Sequence, residues 1–258
     1  MKNFKTAERV STDISDNYVF ARSVLAYKEA AKLVSGTILE AGTGTGYGLE
    51  ELSKTAGKIV SIDKIDVSKI IDASRYGNVY LKQMQFPPFK EIADSAFDFV
   101  ISFQVIEHIK NDKYFLEEVI RILKPAGKFI VTTPNRLTSL TRNPFHVREY
   151  TPQQFDGLLD RYFGKIERYG VFGNEKVMKY YNNNRASVEK ITRFDVLKMQ
   201  WWAPRFLLRL PYSIFNRINR FLLLKQDTSL AVSIAADDYF IAPVNNDCFD
   251  LFYVAEKQ

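Results

Sequence analysis

The stretch Gly36 to Gly48, GTILEAGTGTGYG, constrains this chain more than any other. Thr37-Ile38-Leu39-Glu40-Ala41 is a short apolar run bounded by glycine and reads as a buried parallel strand. Gly42-Thr43-Gly44-Thr45-Gly46 then forces a tight turn, and Leu49-Glu50-Glu51-Leu52-Ser53-Lys54 follows with helical spacing. Strand, glycine turn and helix place a backbone surface at the carboxyl end of a sheet strand, where a nucleotide-like ligand can lie without meeting a Cβ atom.

Two carboxylates sharpen that expectation. Lys58-Ile59-Val60-Ser61-Ile62 is a second apolar strand that ends in Asp63, 21 residues after Gly42. At that spacing a carboxylate sits at the tip of the neighbouring strand and can accept both hydroxyls of a ribose. Glu40 stands just before the glycines, where a pyrophosphate would gain nothing from added negative charge; the ligand is expected to be cationic rather than phosphorylated.

On these residues the chain resembles the class I S-adenosylmethionine-dependent methyltransferases. LEAGTGTGYG is similar to that family's first motif and Asp63 to its ribose acid. The run Phe97 to Asn135, FDFVISFQVIEHIKNDKYFLEEVIRILKPAGKFIVTTPN, is similar to its fourth to sixth motifs. The resemblance covers roughly residues 20 to 172, with a weaker echo at the C-terminus. It implies a Rossmann-like α/β fold: a seven-stranded sheet, mostly parallel with an antiparallel last strand, and helices on both faces. S-adenosylmethionine is the implied cofactor, held by Glu40, Gly42, Thr43, Gly44, Thr45, Gly46 and Asp63. Where the family usually places an acid for the adenine amino group, this chain has Gln83-Met84-Gln85-Phe86; Gln83 or Gln85 is expected to bond the amino group, with Met84 and Phe86 sandwiching the ring. Phe103 and Gln104 leave the carboxyl end of the fourth strand and are expected beside the transferred methyl group.

Along the chain, Tyr18 to Val34 has helical periodicity and would cover the first strand, with Tyr18 and Arg22 as candidate contacts to the methionine end of the cofactor. Val67 to Tyr76 is expected to be a crossover helix and Asn78 to Lys82 a third strand. Phe97 to Phe103, Lys128 to Thr133 and Ile166 to Phe172 continue the sheet, and Phe249 to Val254 closes it. Thr151-Pro152-Gln153-Gln154 has the pattern of a capped helix start. The expected division is a helical cap over 1–35, a cofactor-binding core over 36–172, an insertion over 173–248 and the last strand over 249–258.

The net charge of +6 is localised. Residues 175–225 carry 11 Lys or Arg and three acids, a balance of +8, so the rest sums to −2. That distribution argues against nucleic acid as a partner and for a local basic face. Within it, Trp201 to Pro211 and Ser213 to Lys225 are apolar and basic together, with no acid from Val196 to Lys225. Two readings stand open. One is a pair of interfacial helices, shortened by their prolines, whose Arg205, Arg209, Arg217 and Arg220 meet lipid phosphates. The other is a lid or homodimer element. One cysteine, no apolar N-terminal segment of signal-peptide length and no run of about 20 apolar residues point to a cytoplasmic protein, at most peripheral to the inner face of a membrane.

Methyl transfer to a hydroxyl or ammonium group requires a base near neutrality. Both histidines, His108 and His146, lie in loops expected on the ligand side and are the candidate bases, while Glu107 is expected to orient a loop. Arg148 and Tyr150 are candidate substrate contacts, and no metal is expected. Ser102-Phe103-Gln104-Val105 stands where related enzymes acting on base or glutamine nitrogens carry an Asn/Asp-Pro-Pro-Tyr/Phe run. O-methylation of a small-molecule or glycan-type acceptor is therefore the leading expectation. The alternatives are the same chemistry on a lipid-borne acceptor, a quinone precursor or lipid-linked sugar, and a non-catalytic cofactor-binding module.

Overall fold

A computed structural model describes residues 13–193 and 203–258. Trp201 and Trp202, part of the apolar-basic stretch singled out above, lie outside the described residues, as do residues 1–12 of the expected cap.

Among the described residues eight strands form one sheet in the order β3-β2-β1-β4-β5-β8-β6-β7. They are β1 (Thr37–Ala41), β2 (Lys58–Asp63), β3 (Val79–Gln83), β4 (Phe97–Phe103), β5 (Leu123–Pro134), β6 (Lys165–Gly173), β7 (Tyr239–Pro243) and β8 (Asp250–Glu256). β1 to β5 run parallel, and β8 inserts antiparallel between β5 and β6. The Rossmann-like α/β class is as expected, with one strand more than the seven read from sequence. The addition is β7, which pairs antiparallel with β6 from Tyr169↔Pro243 to Gly173↔Tyr239. Tyr239-Phe240-Ile241 is a β-branched and aromatic run too short to separate from its helical surroundings by periodicity.

Alternation along the central strands fills both faces. Ile38, Ile101 and Ile130 face one core with helices α1 (Asn17–Ala31) and α2 (Leu49–Leu52), whereas Leu39, Val100 and Phe129 face the other with α3 (Asp112–Ile122) and α4 (Pro152–Leu159). α3 forms because Phe115, Leu116, Val119 and Ile122 recur on one side and the Asn111 side chain accepts the Tyr114 N–H at 3.2 Å. Thr151 and Gln154 form the reciprocal cap on α4 that their spacing foretold. Each fully buried side chain such as Phe115 or Phe129 contributes about 2–3 kcal/mol through its removal from water.

Two expected helices are corrected. Val67 to Tyr76 is not a crossover helix but two 3-10 turns, Val67–Lys69 and Ala73–Arg75. Asp66 and Asp72 accept the N–H groups of Ser68 and Ser74, local bonds that compete with continued helix. The second correction is in the 173–248 span. It holds α5 (Glu175–Thr192), α6 (Arg205–Gln226) and α7 (Thr228–Ser233). Pro211 does not divide α6, which runs 22 residues through it. The proline ring is exposed and Ser213 Oγ donates to the Arg209 carbonyl at 2.9 Å in the same turn.

The strand order reverses on either side of β1, between β2 and β4. The crevice at the carboxyl ends of these strands is where ligands meet open α/β sheets, and it is where the glycine turn lies.

Candidate functional site

The turn after β1 is built from three left-handed glycines: Gly42 at φ +101°, Gly44 at +61° and Gly46 at +79°. A Cβ on Gly42 would lie 2.4 Å from Val105 Cγ2 and one on Gly46 2.5 Å from Ile71 Cδ1, so these two close the turn against neighbouring chain. A Cβ on Gly44 would meet nothing within 4 Å. Open space over a bare backbone at a strand tip is what a flat ligand needs. Asp63 points at the same turn: its Oδ2 accepts the Gly44 N–H at 2.9 Å and its Oδ1 the Ile65 N–H at 3.1 Å. An ionised carboxylate accepts hydrogen bonds at both oxygens, which is the chemistry that hydroxyl donors call for. Thr43 and Thr45 occupy the turn between the glycines, with Thr43 Oγ1 bonded to Ser61 Oγ at 2.6 Å.

Glu40 lies beneath the turn and is buried. Tyr27 OH donates to its Oε1 at 2.7 Å and Ser61 Oγ to its Oε2. Burial pushes its carboxyl above the ordinary range, against the two hydrogen bonds that favour the anion. Both oxygens being engaged by protein, Glu40 braces the turn from below rather than facing the open space over Gly44. Tyr27 escaped the sequence reading, since an aromatic at that helical spacing is indistinguishable from core.

The adenine expectation is altered in two places. Met84 is buried in the core beside α3, and Phe86 stacks on Phe89 with ring centroids 5.4 Å apart, so neither stands free as half of a sandwich. Gln85 is exposed, and Gln83 Nε2 donates to the Lys64 carbonyl at 3.1 Å.

Phe103 is packed among Tyr27 and Phe252. Gln104 follows at φ +56°, its Nε2 3.3 Å from Thr132 Oγ1, and faces a cavity of about 340 Å³. Val105, next in the chain after Gln104, packs against Gly42 of the glycine turn. The cavity is bounded by α1, the loop after β5, α5 and α6, and Glu107, His108 and His146 all line it. Tyr18 and Arg22 line it too, but Tyr18 stacks on Tyr180 and Arg22 pairs with Asp250 at 2.8 Å.

The two histidines, 38 positions apart in sequence, meet edge to face with centroids 4.9 Å apart. His108 Nδ1 lies 3.0 Å from the Phe145 carbonyl. His146 Nδ1 lies 2.6 Å from Glu149 Oε1, and its Nε2 lies 2.9 Å from the Asn143 amide nitrogen. That pattern puts the proton on Nδ1, donated to Glu149, and leaves Nε2 the basic nitrogen. Glu107 is fully buried, with Oε2 accepting from Thr133 Oγ1 at 3.1 Å and Oε1 without a hydrogen bond. Its main-chain carbonyl accepts Val147 N–H and Arg148 N–H, which orients the histidine loop as expected. Burial raises its carboxyl to about 7, a nearby His146 charge acting in the opposite sense. Side-chain donor atoms of Glu107, His108 and His146 fall within 4.8 Å of one another, the scale of a cation site. Both His146 nitrogens are engaged by Glu149 and Asn143, which suits the cluster to proton handling. Asn143 and Glu149 are functional candidates the sequence did not reveal.

Arg148 and Tyr150, expected at the substrate, are placed elsewhere. Arg148 pairs with Asp112 and donates to the Lys110 carbonyl at 2.7 Å; Tyr150 OH donates to Asp112 Oδ2 at 2.8 Å. Asp112, at the start of α3, draws both side chains away from the cavity.

A family model described as a methyltransferase domain matches residues 13–204. A probable S-adenosylmethionine-dependent methyltransferase of Mycolicibacterium smegmatis is 33% identical over 175 residues, covering 65% of this chain and 68% of that protein. A ubiquinone biosynthesis O-methyltransferase of Rickettsia akari is 31% identical over 116 residues, 44% of this chain and 46% of its own length. The chain thus spans about two thirds of the mycobacterial relative and under half of the rickettsial one. Among solved structures, an S-adenosylmethionine-dependent methyltransferase of Thermotoga maritima superposes with a TM-score of 0.58 at 14% identity, over 94% of this chain and 92% of that one, a likeness of fold. The bare backbone at Gly44, with Asp63 aimed at it, fits the adenosyl group that such proteins use. Glycine turn, sheet order and sequence relatives agree: the chain belongs to the S-adenosylmethionine-dependent methyltransferase family.

Proposed function

We propose that this chain O-methylates a small polyhydroxylated acceptor, of sugar or polyol type, bound in the cavity in front of Gln104. The carrying observation is the character of that cavity: amide and hydroxyl side chains such as Thr138, Ser139, Thr141, Asn184 and Asn216 stand around a histidine–carboxylate pair. Such groups match a ligand rich in hydroxyls.

Gly42, Gly44, Gly46 and Asp63 would hold the adenosyl moiety, with Asp63 as the acceptor for the ribose hydroxyls. S-adenosylmethionine, when bound, supplies a methyl group on a cationic sulfur. The chain aligns the acceptor oxygen with that methyl, and alignment alone lowers the barrier by several kcal/mol, up to about 7–11 in favourable cases. The acceptor hydroxyl replaces Asn143 on His146 Nε2, which takes its proton, and the Glu149 carboxylate stabilises the resulting imidazolium. His108 buttresses the ring from its edge. The likeness to the rickettsial ubiquinone biosynthesis O-methyltransferase supports transfer to oxygen.

The test is a transfer assay with methyl-labelled S-adenosylmethionine against a panel of monosaccharides, polyols, catechols and amines, followed by identification of the product. A labelled methyl ether of a polyhydroxylated acceptor is expected; a labelled methylamine as the main product overturns the reading.

A further inference from the structure

α6 is amphipathic the wrong way round for a helix on a protein core. Its inward side is polar over most of its length, with Leu223 and Leu224 packing on the core near its end: Asn219 is buried and bonded to Asn184 and Ser187 at 2.7 and 2.6 Å, Arg220 pairs with Asp16, and Arg205 donates to the Val147 carbonyl at 2.6 Å. Ser213 and Asn216 line the acceptor cavity from the same side. Its outward side is apolar. Phe206, Leu210, Ile214, Phe215, Ile218 and Phe221 are 48–71% exposed. At about 3.6 residues per turn and about 1.5 Å rise they share one half of the helix circumference over about 23 Å of its length. An ordinary surface helix presents the opposite arrangement, and a continuous apolar face of this size marks an interaction surface.

Charge identifies what covers it. Arg209, Arg217 and Lys225 are exposed along the same helix, and no acid occurs from Val196 to Lys225. A second copy docking through this face about a two-fold axis would set the same patch against itself, cations facing cations with no carboxylate in the helix to answer them. An anionic lipid surface answers both features, taking up the apolar side chains while its headgroups meet the cations, whose stems reach along the apolar face. No helix among the described residues is long and apolar enough to cross a membrane, so the helix lies on the surface.

We infer that the outer face of α6 docks this protein on an anionic lipid surface, with the acceptor cavity under the helix at headgroup level. The four arginines named from sequence divide accordingly: Arg205 and Arg220 hold the helix to the body of the protein, Arg209 lies over the Phe145 ring at 5.5 Å, and Arg217, at the cavity rim, joins Lys225 as a lipid-facing cation. The inference goes beyond the choice of acceptor, because adsorption is read without turnover.

The test is flotation of the full chain with vesicles of phosphatidylcholine alone and of equal parts phosphatidylcholine and phosphatidylglycerol. It is run on the wild type, on Phe206→Gln/Leu210→Gln/Phe221→Gln and on Arg217→Glu/Lys225→Glu. Melting temperature and mass by light scattering are measured on the same samples. Expected is flotation with the anionic vesicles, at least about tenfold weaker with phosphatidylcholine and about tenfold weaker in both variants, which retain the wild-type melting temperature because the changed side chains are exposed. Absence of wild-type flotation, flotation indifferent to headgroup charge, or flotation unchanged in the variants overturns the inference. So does a wild-type dimer that the triple variant converts to monomer.

Discussion

Asp63 Oδ2 accepts the Gly44 N–H at 2.9 Å, tying the tip of β2 to the turn that leaves β1. The bond fixes the open patch of backbone at Gly44 and aims a carboxylate across it. In the proposed reading cofactor recognition depends on that relationship, and two glycine substitutions separate recognition from folding. Gly44→Ala costs about 1–2 kcal/mol for a left-handed alanine and encounters no neighbour, yet its methyl stands in the open space. It is expected to fold and to lose S-adenosylmethionine affinity by about tenfold or more. Gly42→Ala, with its Cβ 2.4 Å from Val105, is expected to lower the melting temperature further. Calorimetric binding and thermal melts on both variants check the contrast.

His146 and Glu149 carry the proton in the proposed reaction. His146→Ala is expected to reduce kcat by about 10²–10⁴, and Glu149→Gln to reduce it less, with cofactor affinity unchanged in both. Steady-state kinetics and cofactor titration read the two effects; a kcat retained in His146→Ala assigns the base elsewhere.

Arg148→Ala tests the corrected placement of that side chain. Its partner is Asp112 and both are partly exposed, so the loss is about 1 kcal/mol of stability. Acceptor KM is expected to stay within about twofold, since the side chain does not line the cavity. A large rise in KM with unchanged stability would return Arg148 to the substrate.

Glu107 makes stability depend on pH. Its ordinary carboxyl value of 4.5 is raised to about 7 by burial, opposed by His146. Between those values the folded chain keeps a proton that the unfolded chain releases, so the favourable contribution is complete below about 4.5 and declines as pH rises to about 7. Neutral Glu107→Gln lacks the decline. Its melting temperature relative to wild type is expected to rise between pH 5 and 8, by a difference of up to about 3 kcal/mol. An offset that is flat across this range contradicts a protonated buried Glu107.

The sheet and the cofactor turn were legible because they are local. Strand periodicity, glycine spacing and the Gly42-to-Asp63 interval are carried within single βαβ units, and β1, β4 and the Thr151 cap lie where the sequence puts them. What sequence misplaced depends on partners far along the chain. Arg148 and Tyr150 turn toward Asp112, about 36 residues earlier, and Glu40 is taken by Tyr27 and Ser61 from different elements. Asp66 and Asp72 capped turns where apolar spacing suggested a helix, a competition settled by two side-chain hydrogen bonds. α6 was split in reading because proline usually ends a helix, whereas Pro211 sits on its exposed side.

Titration calorimetry of the full chain with S-adenosylmethionine, wild type beside Asp63→Ala, tests the cofactor site most directly. One saturable site per chain is expected in the wild type and an affinity at least about tenfold lower in the variant, with both proteins shown folded by their melting transitions. A wild type that takes up no S-adenosylmethionine, or a variant that binds it equally well, contradicts the assignment of the Gly44–Asp63 turn as the adenosyl site.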